Sequence, residues 1–381
     1  MKMVNFSDYK IRNYNFKIIV LIAAICVIGY LVLTSAMVND PDRDGNLQKQ
    51  LIGIIVGAVF MIAISLIDYH LVLKAAPIIY IGVLVLLAGV LLFGKTINYA
   101  TRWLDIAGFR IQPSEFAKIG VIVVFARYFD SFKDKINKPG YLFGALGLFA
   151  VIAGMVLLEP DLSTTLVILF IFLCMLFVAK LSWKWIVGAI AVAVPFAVTF
   201  VILLSNGLIL EEYQRNRILS WLFPSEYSAS GLTTQQDNSV LAISSGQLYG
   251  KGLNNTSFES VKNGNFLSEE NSDFIFSVVG EELGFIGSVV VLLLIAFLVV
   301  ECFKIGMKAK DMGGRLVAVG MGSLIAFQTF VNIGVATGLL PNTGLPLPFM
   351  SAGVSSALSL FIGMGIVLNA GLQKNNRDVD F

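Results

Sequence analysis

Charged residues, histidine and cysteine are all scarce in this chain of 381 residues. Asp, Glu, Lys and Arg make up 14% of it, against about 25% in soluble domains. One histidine, His70, and three cysteines exclude a disulfide framework and a metal site of clustered His and Cys ligands. The net charge of +2 says little about partners, and no feature of the sequence suggests nucleic-acid binding.

Long apolar runs take the place of charge, since 57% of the residues are hydrophobic. Runs of roughly 20 apolar residues, the length of a membrane-spanning helix, recur from end to end. They predict an all-α polytopic membrane protein, one domain over 1–381, with about ten transmembrane helices. These lie near 17–37, 49–67, 72–94, 113–129, 141–158, 162–180, 183–204, 274–300, 316–340 and 346–370. The first run is too long for a cleavable signal peptide, and no cleavage site follows it.

Lys and Arg residues fall unevenly on the two sides of these helices. With the N-terminus inside, roughly two thirds of the 27 lie in cytoplasmic segments, as the positive-inside rule requires. Both termini are therefore expected in the cytoplasm. The longest loop, 205–273, is then extracytoplasmic, and its aromatic residues and Gly-rich turn favour an ordered loop on the membrane surface.

Three carboxylates stand at or inside one apolar run. Asp273 precedes the run, and Glu281 and Glu282 lie about 12 Å deeper along the helix. Burial of an ionisable group in hydrocarbon costs several kcal/mol, so these groups indicate a polar cavity, a partner or a reaction. The alternative for Asp273 is an N-cap of its helix. Because adjacent helical residues point about 100° apart, one glutamate needs a partner of its own, expected to be Lys118 or Arg102.

The segment 102–118 combines charge with a helix-start signal. Pro113 suits the first turn of a helix, which places Glu115 and Lys118 at i,i+3 on one face. An intramembrane Glu–Lys pair at this position is either a structural clamp or a means of holding Lys118 for an anionic headgroup.

A second cluster, Glu159-Pro-Asp161, ends one span and begins the next. Asp161 is either the N-cap of the following helix or, together with Glu159, part of the lining of a polar cavity. The sequence alone leaves both interpretations open.

A third cluster lies in 213–224, where Arg215 and Arg217 stand beside an aromatic stretch. They either anchor an interfacial helix or bind phosphate oxygens through bidentate hydrogen bonds. Lys251, in a Gly-rich turn further along the loop, is a weaker candidate for phosphate.

The segment 338–356 places three prolines and several glycines at membrane depth. Non-helical backbone is tolerated there only when it is buried in protein or lines a polar cavity. Pro346, Pro348 and Ser351 are therefore expected in a turn that re-enters the bundle.

Together these segments resemble the shape, elongation, division and sporulation family, whose members include RodA, FtsW and SpoVE. The match runs roughly from the first span to Leu372, with several motifs in the family's order. Its specific parts are Arg102-Trp103, Gln112-Pro-Ser-Glu-Phe-Ala-Lys118, Glu159-Pro-Asp161, Asp273-Phe-Ile-Phe276, Gly280-Glu-Glu-Leu-Gly284 and Pro341-Asn-Thr-Gly-Leu-Pro-Leu-Pro348.

The resemblance implies a peptidoglycan glycosyltransferase of the bacterial cytoplasmic membrane that polymerises lipid II on the extracytoplasmic side. It implies a class B penicillin-binding protein as partner, besides lipid II, the nascent glycan strand and membrane lipids. By the family's pattern Asp273 is the essential acid. The other important polar positions are Arg102, Glu115, Lys118 and Asp161; residues expected to line or support the cavity are Trp103, Glu159, Glu281, Glu282, Pro346, Pro348 and Ser351.

The chemistry of lipid II accounts for these residue types. Its leaving group, undecaprenyl diphosphate, departs without protonation but is highly anionic. We expect Asp273 to take a proton from the acceptor GlcNAc 4-hydroxyl for an inverting attack on the donor MurNAc. The cations expected to neutralise the diphosphate are Arg102, Lys118, Arg215, Arg217 and, more weakly, Lys251. No cofactor is required by this scheme, and a divalent cation, Mg or Mn, at the diphosphate stays open.

Two motifs depart from the family's usual pattern. Where the family has Leu-Pro-Glu-x-His-Thr before its Asp-Phe, this chain has Leu267-Ser-Glu-Glu-Asn-Ser272. The family's Ser-Tyr-Gly-Gly-Ser-Ser run is here Ser351-Ala-Gly-Val-Ser-Ser356. Tyr213-Gln-Arg-Asn-Arg217 and a short N-terminal tail resemble the RodA branch more than FtsW.

Two other functions share parts of the pattern. A lipid II flippase would also have about ten helices and intramembrane ions, but it needs charges spread across the bilayer, whereas the clusters here concentrate on the outer side. A scaffold that only recruits other proteins would not explain buried ions.

Overall fold

The computed structural model describes residues 14–97, 100–106, 109–188, 191, 212–223, 234–255 and 271–373. Within these ranges the chain is mainly helical. The helices are α1 (Phe16–Ala36), α2 (Arg43–Ser65), α3 (Tyr69–Lys74), α4 (Ala76–Phe93), α5 (Pro113–Ser131), α6 (Pro139–Leu158), α7 (Leu162–Val178), α8 (Glu212–Leu222), α9 (Thr234–Ser245), α10 (Ile275–Lys308), α11 (Met312–Ala336) and α12 (Val354–Leu372).

Seven of the described helices are long and apolar enough to cross a membrane: α1, α2, α4, α6, α10, α11 and α12. α5 is as long as α12 but carries Glu115, Lys118, Arg127 and Asp130, and α7 has 17 residues. Both occupy predicted spans. The predicted span 183–204 is helical at 183–188 and then lies largely outside the described residues. The prediction of an all-α polytopic membrane protein is confirmed.

Local sequence signals set several helix starts. Pro113 and Pro139 occupy the first positions of α5 and α6, where the missing N–H costs no hydrogen bond. Asp161 and Asp311 cap α7 and α11, each accepting a backbone N–H from three residues further on. The predicted helix start at Pro113 and the N-cap interpretation of Asp161 are therefore confirmed.

The two C-terminal helices form the centre of the bundle. In their membrane-spanning windows 83% of α12 and 72% of α11 is buried, against 22% for α4 and α10, which leave broad apolar faces outward. α2 packs closely on α12 at Gly57, where a Cβ would lie 2.3 Å from the ring of Phe361. Central helices of this kind can carry polar side chains away from lipid.

Both ends of the described chain meet at one end of the bundle, which we call the His70 end. Tyr14 lies 2.9 Å from Ser65, and Gln373 donates to Asp68 at 3.0 Å. The other end, where α10 begins after Asp273, is called the Asp273 end. This arrangement agrees with the prediction that both termini lie on the same side of the membrane.

Three short strands lie between α4 and α5, in a segment for which the sequence analysis predicts no strand. They are β1 (Lys95–Ile97), β2 (Ala100–Ile106) and β3 (Phe109–Ile111), antiparallel in the order β1-β2-β3. Leu104 pairs with Ile111, and Lys95 pairs with Trp103. The sheet fixes β2, and with it Arg102, over the turn between α6 and α7.

The last predicted helix, 346–370, was placed too early. Residues 337–353 are non-helical, and α12 begins at Val354. Pro346 and Pro348 interrupt helical hydrogen bonding, which accounts for the late start. Leu345, Leu347 and Met350 are buried, so the predicted turn into the bundle is confirmed.

Candidate active site

The start of α5 holds a buried ion pair. Lys118 Nζ lies 2.7 Å from Glu115 Oε1, and the two side chains are 0% and 2% exposed. Lys118 also donates to Gln328 Oε1 of α11 at 3.2 Å. Because an isolated charge in a low-dielectric site is costly, the contacts with the carboxylate and the amide oxygen offset the burial of the lysine side chain. The predicted Glu115–Lys118 pair is present in the structure.

Arg102 of β2 grips the turn between α6 and α7. Its Nε donates to the carbonyl of Glu159 at 3.3 Å, a second donor reaches the carbonyl of Pro160, and Nη1 lies 3.7 Å from Asp161 Oδ1. Carbonyls at a helix C-terminus carry partial negative charge, which suits the guanidinium. Asp161 meanwhile accepts from Thr164 N at 3.0 Å.

Glu159 is a fully buried carboxylate in that turn, just beyond the end of α6. Among the described residues neither of its carboxylate oxygens has a hydrogen-bond partner. Burial and the neighbouring Asp161 raise the pKa of Glu159 to about 8, while Arg102 opposes the rise. The turn therefore disfavours a second carboxylate charge beside Asp161.

Asp273 lies just before α10 and is partly buried. Its Oδ1 accepts from Ser272 Oγ at 3.0 Å. Phe274, not Asp273, is the N-cap of α10, and no side chain caps that helix. The N-cap alternative for Asp273 is therefore wrong.

The backbone around Asp273 is fixed by the non-helical segment 337–353. Ser351 Oγ donates to the carbonyl of Ser272 at 2.6 Å and accepts from Leu347 N at 2.7 Å. Gly344, with φ +73°, passes so close that a Cβ there would lie 3.2 Å from Asp273 Oδ2. The predicted role of Ser351 in supporting the site thus takes the form of a backbone brace.

Two amides of α11 complete this end of the bundle, and the search for ionisable residues missed them. Asn332 Nδ2 donates to the carbonyl of Asp273 at 2.9 Å, and Gln328 contacts Lys118. Both side chains are buried. The available signal was two amides spaced i,i+4 on an otherwise apolar membrane helix, where polar groups need partners.

The expected partners of Glu281 and Glu282 were wrong. Glu281 pairs with Lys251 Nζ at 2.8 Å, and Glu282 accepts from Ser35 of α1, rather than either meeting Lys118 or Arg102. Both glutamates are 1% exposed. Lys118 is already held by Glu115, so Lys251, from the segment between α9 and α10, pairs with Glu281 instead.

Backbone contacts join the segment 246–252 to α10, and we call this arrangement the Gly284 interlock. The backbone N–H groups of Lys251 and Gly252 donate to the carbonyls of Glu281 and Glu282, both at 2.9 Å. In the opposite direction, the N–H of Phe285 donates to the carbonyl of Gln247 at 2.8 Å. Gly284 breaks the helix with φ 66° and ψ −164°. The loop therefore supplies the hydrogen bonds that the broken helix lacks.

The remaining predicted residues fall around these clusters. Trp103 and Arg215 are partly buried on β2 and α8, and Pro348 is buried in the non-helical segment. The side chain of Arg217 and the segment 256–270 lie outside the described residues. In the part of the chain that the structure describes, no three His, Cys, Asp or Glu side chains are grouped to hold a metal ion.

Comparison with known proteins places this architecture. The family model for cell cycle proteins of the FtsW, RodA and SpoVE type matches residues 16–376. A probable peptidoglycan glycosyltransferase FtsW of Trichlorobacter lovleyi is 34% identical over 96% of both chains. Peptidoglycan glycosyltransferase MrdB of Escherichia coli K12 is 34% identical over 92% of this chain and 91% of its own.

Solved structures agree. A chain of a structure described as "structural coordination of polymerization and crosslinking by a peptidoglycan synthase complex" has a TM-score of 0.77, with 28% identity over 94% of this chain and 97% of that one. Rod shape determining protein RodA of Thermus thermophilus has a TM-score of 0.68, with 28% identity over 94% and 96%. The chain therefore belongs to the FtsW, RodA and SpoVE family of cell cycle proteins.

Proposed function

We propose that this protein is a peptidoglycan glycosyltransferase that polymerises lipid II at the outer face of the bacterial cytoplasmic membrane. Relatives bearing that enzyme name are about a third identical to it over nearly its full length. The observation that carries the proposal is Asp273, a carboxylate braced from two elements at the same end of the bundle as the buried Lys118 cation.

Asp273 acts as the general base. It takes the proton of the acceptor GlcNAc 4-hydroxyl as that oxygen forms a bond to the anomeric carbon of the donor MurNAc. The bond from that carbon to the diphosphate oxygen breaks, configuration inverts, and undecaprenyl diphosphate leaves with its electron pair. No paired acid is needed, which differs from the two-carboxylate scheme of glycosidases.

Arg102 and Lys118 supply fixed positive charge for the diphosphate. Each is already held by a carboxylate, Asp161 or Glu115, so its position is set before substrate arrives. Preorganised cations stabilise developing anionic charge without reorganisation during the reaction. Arg215 and Arg217 are further candidates from α8. Lys251 is the weakest, because Glu281 engages it.

Within the described ranges of the chain, no group of three His, Cys, Asp or Glu side chains is placed to hold a divalent cation. Glu159 and Asp161 are the nearest carboxylate pair, but the Arg102 charge beside them opposes a metal ion. Mg or Mn at this site would be held by the diphosphate oxygens themselves.

A class B penicillin-binding protein is the proposed partner. The first of the structural relatives above comes from a complex that couples polymerisation to crosslinking. Lipid II keeps its polyprenyl tail in the bilayer, so the donor site opens laterally between helices at the Asp273 end.

Asp273→Asn tests the proposed function. Purified protein with its partner and labelled lipid II should form no glycan strands when this residue is changed, because an amide does not accept the hydroxyl proton. Asp237→Asn, an exposed carboxylate on α9, is the matched control and should polymerise normally. Appreciable polymer from the Asp273 variant would remove it as the base. Lipid scrambling by the parent without any polymer would identify a flippase instead.

A further inference from the structure

Two amides of α11, one helical turn apart, each contact one of the two groups assigned to the reaction. We propose that Asn332 and Gln328 are positioning residues that hold Asp273 and Lys118 in a fixed spatial relation. Asn332 acts through the backbone of Asp273, and Gln328 acts through the ammonium of Lys118. The inference rests on the proposed function, in which Asp273 is the base and Lys118 contacts the diphosphate.

Asn332 uses both hydrogens of its amide. Nδ2 donates to the carbonyl of Asp273 at 2.9 Å and to the carbonyl of Leu345 at 2.7 Å. The side chain is 1% exposed, and in the described part of the chain its Oδ1 has no hydrogen-bond partner. An amide in the opposite orientation would point oxygen at two carbonyl oxygens, so the acceptors define the orientation.

Gln328 lies one turn earlier on the same helix and is 0% exposed. Its Nε2 donates to the carbonyl of Pro346 at 2.8 Å, and its Oε1 accepts from Lys118 Nζ at 3.2 Å. A neutral side chain with both a donor and an acceptor end is needed here, and glutamine has both.

The two amides are anchored to the same stretch of backbone, because they donate to the consecutive carbonyls of Leu345 and Pro346. Those carbonyls belong to non-helical backbone inside the bundle, so they have no partner within a helix and need a donor from elsewhere. Asp273 and Lys118 come from segments that are far apart in sequence. The pair of amides therefore ties both groups to one rigid helix and one fixed stretch of backbone.

Steady-state kinetics with lipid II separate positioning from simple packing. Asn332→Leu is expected to lower kcat about 10- to 100-fold with little change in KM, because displacing a reacting group by about 1 Å costs that much. Gln328→Met is expected to raise KM roughly 10-fold, since it removes the acceptor that orients Lys118. Thr329→Val is the matched control: Thr329 is a buried hydroxyl on the same helix that lacks a hydrogen-bond partner within the described residues, so its loss should change neither constant.

A second readout does not depend on turnover. The rate at which a carbodiimide modifies Asp273, followed by mass spectrometry, should change in Asn332→Leu and stay at the parent value in Thr329→Val. Parent-like labelling and parent-like kinetics in Asn332→Leu would overturn the inference. An equal fall of apparent kcat in Asn332→Leu and Gln328→Met, with KM and the labelling of Asp273 unchanged, would mean that the amides only pack. That result would also overturn the inference.

The proposed function fails by a different result. If Asp273→Asn polymerises lipid II while Asn332→Leu still alters the labelling of Asp273, then the positioning stands and the catalytic assignment falls. If either large apolar variant does not fold, Asn332→Ser and Gln328→Glu replace them. Asn332→Ser keeps one donor and should give an intermediate kcat, and Gln328→Glu binds Lys118 more strongly and should raise KM.

Discussion

Arg102 holds the turn between α6 and α7 and is also the arginine that we propose to contact the diphosphate. Its guanidinium satisfies two carbonyls of the turn between α6 and α7 while its charge sits beside Asp161. A lysine would bring the charge but not the planar set of donors. The planar guanidinium therefore suits both the carbonyls of the turn and the proposed diphosphate contact.

Replacing Arg102 by Ala should weaken donor use. The KM for lipid II is expected to rise by about 10-fold or more, because hydrogen bonds to charged groups contribute about 1.5–3 kcal/mol. Arg110→Ala, on β3 with a side chain 69% exposed, is the control on the same sheet. Unchanged donor kinetics in the Arg102 variant would remove it from the diphosphate site.

His70 forms a charged cluster at the opposite end of the bundle. Its Nδ1 lies 2.7 Å from Asp68 and its Nε2 2.7 Å from Asp311. The hydrogen bond with Asp311 raises the pKa of His70, burial opposes this, and Asp68 adds to it. Burial raises the pKa of Asp311, but the contacts with His70 and Gly314 outweigh it and bring the value to about 2.

The sign of the pH dependence follows from these shifts. The raised pKa of His70 means that its contribution is present at mildly acidic pH and is lost as pH rises through the folded-state pKa. At the acidic side the contribution of Asp311 is lost only as pH falls toward 2. We expect the melting temperature to fall on raising the pH from 6 to 9, by roughly 1–3 °C since such a half-exposed cluster contributes about 1 kcal/mol or less. His70→Gln should flatten that decline; an equal decline in the variant would locate the effect elsewhere.

At the scale of elements, α10 consists of two helical pieces joined at Gly284. A Cβ at that position would lie 2.3 Å from the backbone nitrogen of Gly250, and the φ of 66° is unfavourable for any other residue. The break in α10 at Gly284 and the close approach of the segment 246–252 therefore depend on the same glycine.

Gly284→Ala should disrupt the Gly284 interlock. We expect a loss of roughly 2–3 kcal/mol or more in stability, from the strained backbone and the clash together. Thermal unfolding and limited proteolysis of the 246–252 segment would measure it. Gly154→Ala on α6, where a Cβ meets nothing within 4 Å, should leave both readouts unchanged. Equal stability of the two variants would contradict the need for glycine at the break.

Helix starts, N-caps and side-chain pairs that depend on neighbouring residues could be predicted from the sequence. Contacts between residues far apart in the chain could not. Pro113 at a helix start, Asp161 as an N-cap and the i,i+3 pair of Glu115 with Lys118 follow from neighbours in the chain. The partnership of Lys251 with Glu281 joins residues 30 positions apart, and no local pattern encodes it. The strands β1 and β3 have three residues each, and β2, with seven, shows no regular alternation of apolar and polar residues.

At the scale of the whole molecule, hydropathy predicts a helix bundle and the order of its helices along the chain. It does not predict which helices lie at the centre of the bundle. Apolar runs look alike whether they face lipid or protein, so α11 and α12 could not be recognised as the buried helices. The Asn332 and Gln328 amides were the overlooked sign, because a neutral polar residue in a membrane helix points inward. The closer resemblance to the RodA branch stays a prediction. A relative named FtsW and one named MrdB, a RodA homologue, are both 34% identical to this chain.

The union of loop and broken helix has a mechanical consequence. The first piece of α10, residues 275–283, is hydrogen-bonded to the segment 246–252 next to the point where Gly284 breaks the helix. A force on the segment 246–252 would therefore act directly on residues 275–283, while the contacts of Asn332 and Ser351 with the backbone at 272–273 would resist displacement of Asp273.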